Sequence, residues 1–288
     1  MSASHPTIVI SADAPPPRFL DSALGPFRLL VRHAFPVAQM TRREVAARYR
    51  GSVAGVLWSF VQPLLMLGIY TFLFGFLFRP RVATAAPVDT VDFAQTLFVG
   101  ILLHGLLAEC IGRAPTMILG NPNYVKKFVF PLEILAWPAT FSALIQFSFG
   151  VLVLVAWHLA SLQGIPATAL LLPLVVAPLA LLTAGLVWLL SALGVFVRDV
   201  GQVIGLVVTL LMFTAPILYP LEILPEAVRP WMWLNPLTLP VVEARKVLLE
   251  GGLPDWTALG IYAAAAFLVA WVGHYVFARL KRAFADVI

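Results

Sequence analysis

The sequence predicts an all-α, polytopic membrane protein. It is expected to have six transmembrane helices, an N-terminal amphipathic interface helix, and re-entrant or interfacial short helices between spans five and six. Three observations carry this expectation: composition, six long apolar runs, and the placement of Lys and Arg. The 288 residues are 61% hydrophobic and only 11% charged, with mean hydropathy +0.94. A soluble domain carries about 25% charged residues. Half that charge cannot cover a water-facing surface, so most of the solvent must be lipid.

The chain divides into an expected disordered cytoplasmic N-terminus over 1–25, amphipathic cytoplasmic interface helices over 26–50, and a six-span transmembrane domain over 51–288. The first twenty residues contain Pro15, Pro16 and Pro17 and no sustained apolar core, so no cleaved signal peptide is expected. Phe27, Leu30, Val31, Ala34 and Phe35 recur at helical spacing, with Arg28 and Arg32 opposite. That pattern predicts a helix lying on a surface, interrupted at Pro36. Thr41-Arg42-Arg43-Glu44 reads as a capping box that opens a second short helix.

Apolar runs follow at about 56–78, 93–112, 134–159, 167–197, 200–218 and 256–278. Most approach the roughly 20 residues that cross the hydrocarbon core. Pro173 and Pro178 are expected to kink or tilt the long fourth run. Placing the N-terminus in the cytoplasm puts fourteen Lys and Arg inside against five outside (Arg79, Arg81, Arg229, Arg245 and Lys246), which sets the orientation with both termini cytoplasmic. The outer segment 219–255 alternates apolar residues with Pro220, Pro225, Pro230, Pro236 and Pro240, and Leu237, Val241, Ala244 and Leu248 form a stripe. Short helices that re-enter the outer leaflet, or a surface hairpin, both satisfy this pattern.

The sequence excludes most chemistry. Cys110 is the single cysteine, so there is no intrachain disulfide and no cysteine-based metal site. No catalytic residue and no metal ligand set is expected. Glu109 is the one acid inside a span, and four residues separate it from Arg113, the spacing of an ordinary helical ion pair. None of the four lysines follows a glycine, so there is no Walker A loop, and any ATP must be bound by another chain. Excess positive charge fits cytoplasmic loops rather than nucleic acid.

Three stretches carry a resemblance. Residues Arg42 to Leu65 (RREVAARYRGSVAGVLWSFVQPLL) resemble the entry to the first span in permease subunits of type-2 ABC exporters. The similar branch comprises polysaccharide exporters: O-antigen (Wzm-like), teichoic-acid and capsule transporters. Asn121 to Glu133 (NPNYVKKFVFPLE) resembles that branch's cytoplasmic coupling segment, and Leu234-Asn235-Pro236-Leu237-Thr238 its last outer loop. The resemblance implies a homodimeric channel in the bacterial inner membrane, two copies of an ATP-binding subunit carrying ATP and Mg, and a lipid-linked glycan as cargo.

On that reading Arg48, Tyr49 and Arg50 are expected at the substrate's phosphate headgroup, or else as snorkelling anchors for anionic lipids. Arg42, Arg43, Glu44, Asn121, Pro122, Tyr124, Lys126 and Lys127 are expected to couple to the ATPase. Trp58, Phe60, Tyr70, Phe74, Tyr219, Trp231 and Trp233 are candidate channel aromatics, against the ordinary role of belt and core residues. Gly51-x3-Gly55 and Gly201-x3-Gly205 offer close helix packing. A permease for drugs or small lipids, and a membrane enzyme acting on polyprenyl lipids, remain the alternatives.

Overall fold

The computed structural model describes residues 19, 22–73, 90–122, 124, 131–160 and 164–288, all helical or irregular with no strand among them. Two short helices come first, α1 (Gly25–Arg32) and α2 (Ala34–Tyr49). Long apolar helices follow: α3 (Trp58–Phe72), α4 (Thr90–Met117), α5 (Ala136–Ala160) and α6 (Leu172–Phe196). Then come α7 (Val200–Thr214), the short α8 (Thr238–Arg245) and α9 (Trp256–Leu280). Among the described residues, five stretches are long and apolar enough to cross a membrane: Gly55–Phe72, Phe93–Met117, Leu132–Ala160, Ala167–Phe196 and Trp256–Val287.

The expected fifth run, 200–218, is shorter than predicted. Helix α7 has 15 residues, about 22 Å at the helical rise. Its end has a cause. Ala215 is extended. Asn235 Nδ2 donates to Leu211 O at 2.9 Å and to Thr214 Oγ1 at 2.8 Å. Arg245 donates to Pro216 O at 2.6 Å and Ile217 O at 3.0 Å. Side chains from the following segment thus take carbonyls at and beyond the end of α7, where a helix leaves such groups unsatisfied.

The core is built on α6, which packs against both α4 and α9. Glycines allow that closeness: a Cβ at Gly185 would lie 2.6 Å from the Ala270 backbone, and one at Gly273 would strike the Gly185 carbonyl. Pro115 lies inside α4, and a Cβ at Gly194 of α6 would strike its backbone. Pro173 falls in the first turn of α6, where a proline has no helical bond to remove. Pro178 is the one inside the helix. By contrast, little of α3 is buried: Leu67 enters the core, while most of its apolar residues face outward.

The N-terminal helices divide elsewhere than expected. The break lies at His33, and α2 runs through Pro36 and Thr41 without interruption. Pro36 sits in the first turn, where its missing N–H costs nothing. Thr41 is mid-helix and donates to Val37 O at 2.8 Å, so it opens no helix. The stripe splits as well: Phe27 approaches Trp137 and Phe267, whereas Val31 and Phe35 are exposed. Within the expected disordered segment 1–25, Phe19 stacks on Trp271 at 4.3 Å. The Trp271 indole also donates to Phe19 O and Ser22 Oγ.

The two glycine pairs do not pack helices within the chain. Gly51 and Gly55 have positive φ, 81° and 51°, and shape the turn between α2 and α3. Open space lies beside Gly201 and Gly205. The segment 219–255 forms short helices as predicted, and its stripe is turned inward: Leu237, Val241, Ala244 and Leu248 are all buried.

Candidate functional site

The charged residues of α2 face three different ways, and that sorts the predicted site. Glu44 and Arg48, one turn apart, face α4. Arg48 donates to both carboxylate oxygens of Glu109 and, at 3.0 Å, to Ser142 Oγ on α5. Glu109 therefore has two basic partners, since Arg113 stands 3.5 Å away in the predicted pair. Arg113 also lies 3.6 Å from Glu44. Partial burial and the Arg113 charge lower the Arg48 guanidinium from its ordinary pKa, but an arginine stays charged.

Arg48 opens onto a cleft of about 570 Å³ between α2, the start of α3, α4 and α5. Tyr49, Trp58, Gln62, Glu109 and Gln146 are among its walls. Tyr49 donates to Gln146 Oε1 at 2.8 Å and accepts from Ser59 at 2.5 Å, which fixes the ring against α5. The Arg48 guanidinium, bonded to Glu109 and Ser142, is thus the polar end of a cleft otherwise walled mostly by amide, indole and apolar side chains.

A second cleft, of about 310 Å³, lies one turn back along α2. Arg43, Glu44, Arg113, Asn121 and Tyr124 line it. Arg43 reaches the Tyr124 hydroxyl at 3.5 Å, and Asn121 is held by Met117 O at 2.9 Å. Four of the residues predicted to couple to an ATPase are thus gathered in one place. Pro122 is exposed beside them. Lys126 and Lys127 lie outside the described residues.

Arg42 and Arg50 point elsewhere. They line an apolar groove of about 1030 Å³ between α1, α2 and α5, so the predicted trio Arg48, Tyr49 and Arg50 is divided between two surfaces, with Tyr49 on both. The candidate aromatics are also dispersed. Trp58 lines the Arg48 cleft, and Phe60 meets Phe149 of α5 edge to face at 4.9 Å. Tyr70 is half-buried, and Tyr219 donates to Phe213 O. Trp231 and Trp233 are exposed at the other end of the chain's helices, and Phe74 lies outside the described residues.

Sequence reasoning missed Ser142 and Gln146. Their signal was present: two polar residues four apart in a mostly apolar run share one helix face. It also counted Arg245 as a loop cation, whereas Arg245 is buried and bonded to Thr96, Pro216 and Ile217 carbonyls. Among the described residues no three potential metal ligands gather.

The described residues thus form an apolar helical membrane protein with two polar clefts along α2. The chain belongs to the ABC-2 type transporter family of membrane proteins, whose pattern matches residues 37–249. More particularly, it is similar to the O-antigen export system permease protein RfbA of Myxococcus xanthus, 28% identical over 263 residues, covering 91% of this chain and 98% of that protein. A protein of the same name from Klebsiella pneumoniae is 25% identical over 257 residues, covering 86% and 93% respectively. The chain is a transporter component and not an enzyme.

Proposed function

We propose that this chain is the membrane subunit of an ATP-driven exporter that moves a lipid-linked, O-antigen-like polysaccharide across the bacterial inner membrane. The observation that carries the proposal is similarity along nearly the whole chain to permeases named for O-antigen export. Two copies form the channel, and two ATP-binding subunits supply ATP and Mg, since the sequence has no Gly-Lys pair for a Walker A loop. The open face of α7 at Gly201 and Gly205 suits a second copy.

In this reading the Arg48 cleft receives the phosphate linker, and the Arg43–Glu44–Asn121–Tyr124 cleft faces the ATP-binding subunit. Helix α7 is the fifth of six crossings, with the segment 235–248 completing its outer end. Both termini are cytoplasmic. Copurification of an ATP-binding subunit with the tagged chain tests the partnership, and its absence overturns it. Reporter fusions after Pro80, Asn121, Gln163, Asp199, Gly252 and Ile288 should alternate out, in, out, in, out, in. Two consecutive fusions on one side refute the topology.

A further inference from the structure

Four charged side chains run from one cleft to the other. Glu44 and Arg48 stand a turn apart on α2, and Glu109 and Arg113 a turn apart on α4. The helices meet in antiparallel register, so that Arg48 pairs with Glu109 and Glu44 with Arg113. The link between the two pairs is the Glu109–Arg113 contact at 3.5 Å. The order is therefore Arg48, Glu109, Arg113, Glu44, with alternating sign and zero net charge. Arg48 and Glu109 line the first cleft, and Arg113 and Glu44 line the second.

The four charges are not the one attachment of α2, because Val37 is already set in the apolar core. What the chain adds is competition. Arg48 is the cation among the described residues lining the first cleft, and its guanidinium is already bonded to Glu109. A phosphate entering there must share or displace that carboxylate. Glu109 then has Arg113 as its remaining partner, and Arg113, drawn toward it, leaves Glu44. Glu44 stands beside Arg43 and Tyr124 in the second cleft, so the exchange alters the charge presented there.

We infer that these four side chains form an ion-pair relay by which an anionic phosphate headgroup at Arg48 is sensed at Glu44. Glu109, Arg113 and Glu44 act as positioning residues. The inference rests on the reading of the two clefts given above. Linkage makes the effect reciprocal: a partner that engages Glu44 or Arg113 changes the affinity at Arg48 by the same factor.

The test uses the complex of this chain with its ATP-binding subunit, reconstituted in phosphatidylethanolamine–phosphatidylglycerol vesicles. A polyprenyl diphosphate is titrated, with the matching polyprenol and inorganic diphosphate as controls, and ATPase rate is read for half-saturation and for fold-stimulation. Glu109→Gln is expected to move the two in opposite senses. Half-saturation falls because the competing carboxylate is gone, while stimulation drops by on the order of five-fold, the low end of ordinary allosteric coupling. Glu44→Gln should lower stimulation with little change in half-saturation.

The double variant E44R/R113E rebuilds the outer pair but sets an acid beside Glu109, so it restores a clamp and not a relay. It should stay poorly stimulated. Wild-type stimulation in E44R/R113E, or a Glu109→Gln protein that binds more weakly or is stimulated normally, overturns the relay. If E44R/R113E fails to assemble, the opposed changes in Glu109→Gln decide alone. A wild-type complex indifferent to the diphosphate instead overturns the reading of the Arg48 cleft itself.

Discussion

Replacing Arg245 by alanine should destabilise the protein by about 4 kcal/mol, because three buried carbonyls lose their donor at once. Arg245 is 9% exposed. Its guanidinium spans Thr96 O on α4 at 2.9 Å, Pro216 O at 2.6 Å and Ile217 O at 3.0 Å. Thr96 lies inside a helix and its carbonyl keeps a helical partner, so its loss is small. The other two carbonyls lie past the end of α7. Each costs about 1–3 kcal/mol when left buried and unsatisfied. Lysine keeps the charge but not the planar fork that reaches three acceptors, and about half the loss is expected for Arg245→Lys. The assay is equilibrium unfolding of the purified protein by sodium dodecyl sulfate in mixed micelles, followed by tryptophan fluorescence. An Arg245→Ala protein as stable as wild type would refute the assignment of Arg245 as the tie between α4, α8 and the end of α7.

Two further outcomes follow from the same geometry. Gly273→Ala should cost about 2–3 kcal/mol by overpacking the α6–α9 crossing, since its Cβ meets the Gly185 carbonyl. Gly260→Ala, with open space beside it, should stay within about 0.5 kcal/mol of wild type; equal losses in the unfolding assay would contradict the crossing. Arg48→Ala should cut glycan export, normalised to complex abundance, by about ten-fold or more, the loss of a charge-assisted phosphate contact. Arg48→Lys should retain part of it, and Arg50→Ala should lose less, because Arg50 lines the apolar groove instead. Export that falls equally in Arg48→Ala and Arg50→Ala would remove that distinction.

The long apolar helices were legible because lipid leaves a simple record: about twenty apolar residues in a row. The inward stripe of 237–248 was legible for the same reason, through helical spacing. What the sequence concealed was side-chain reach across elements. Pro216 and Pro220 announce that the 200–218 run closes, and the extended Ala215 before Pro216 follows from that proline; the ties from Asn235 and Arg245, far along the chain, had no local sign. The spacing of Glu109 and Arg113 foretold their pair, but Arg48 is 61 positions from Glu109, and no local pattern announces such a meeting. Pro36 was misleading because a proline breaks a helix only beyond its first turn. Arg42, Arg48 and Arg50 look alike as a basic cluster, and only the helical turn of α2 parts them among different surfaces.

Export itself tests the central claim most directly. In a strain lacking this chain, polymer displayed at the cell surface and polymer still attached to its lipid carrier at the inner membrane would be measured together. The account predicts that surface glycan is lost, that lipid-linked glycan accumulates inside, and that supplying the chain reverses both. Undiminished surface glycan, with no lipid-linked polymer building up, would contradict it.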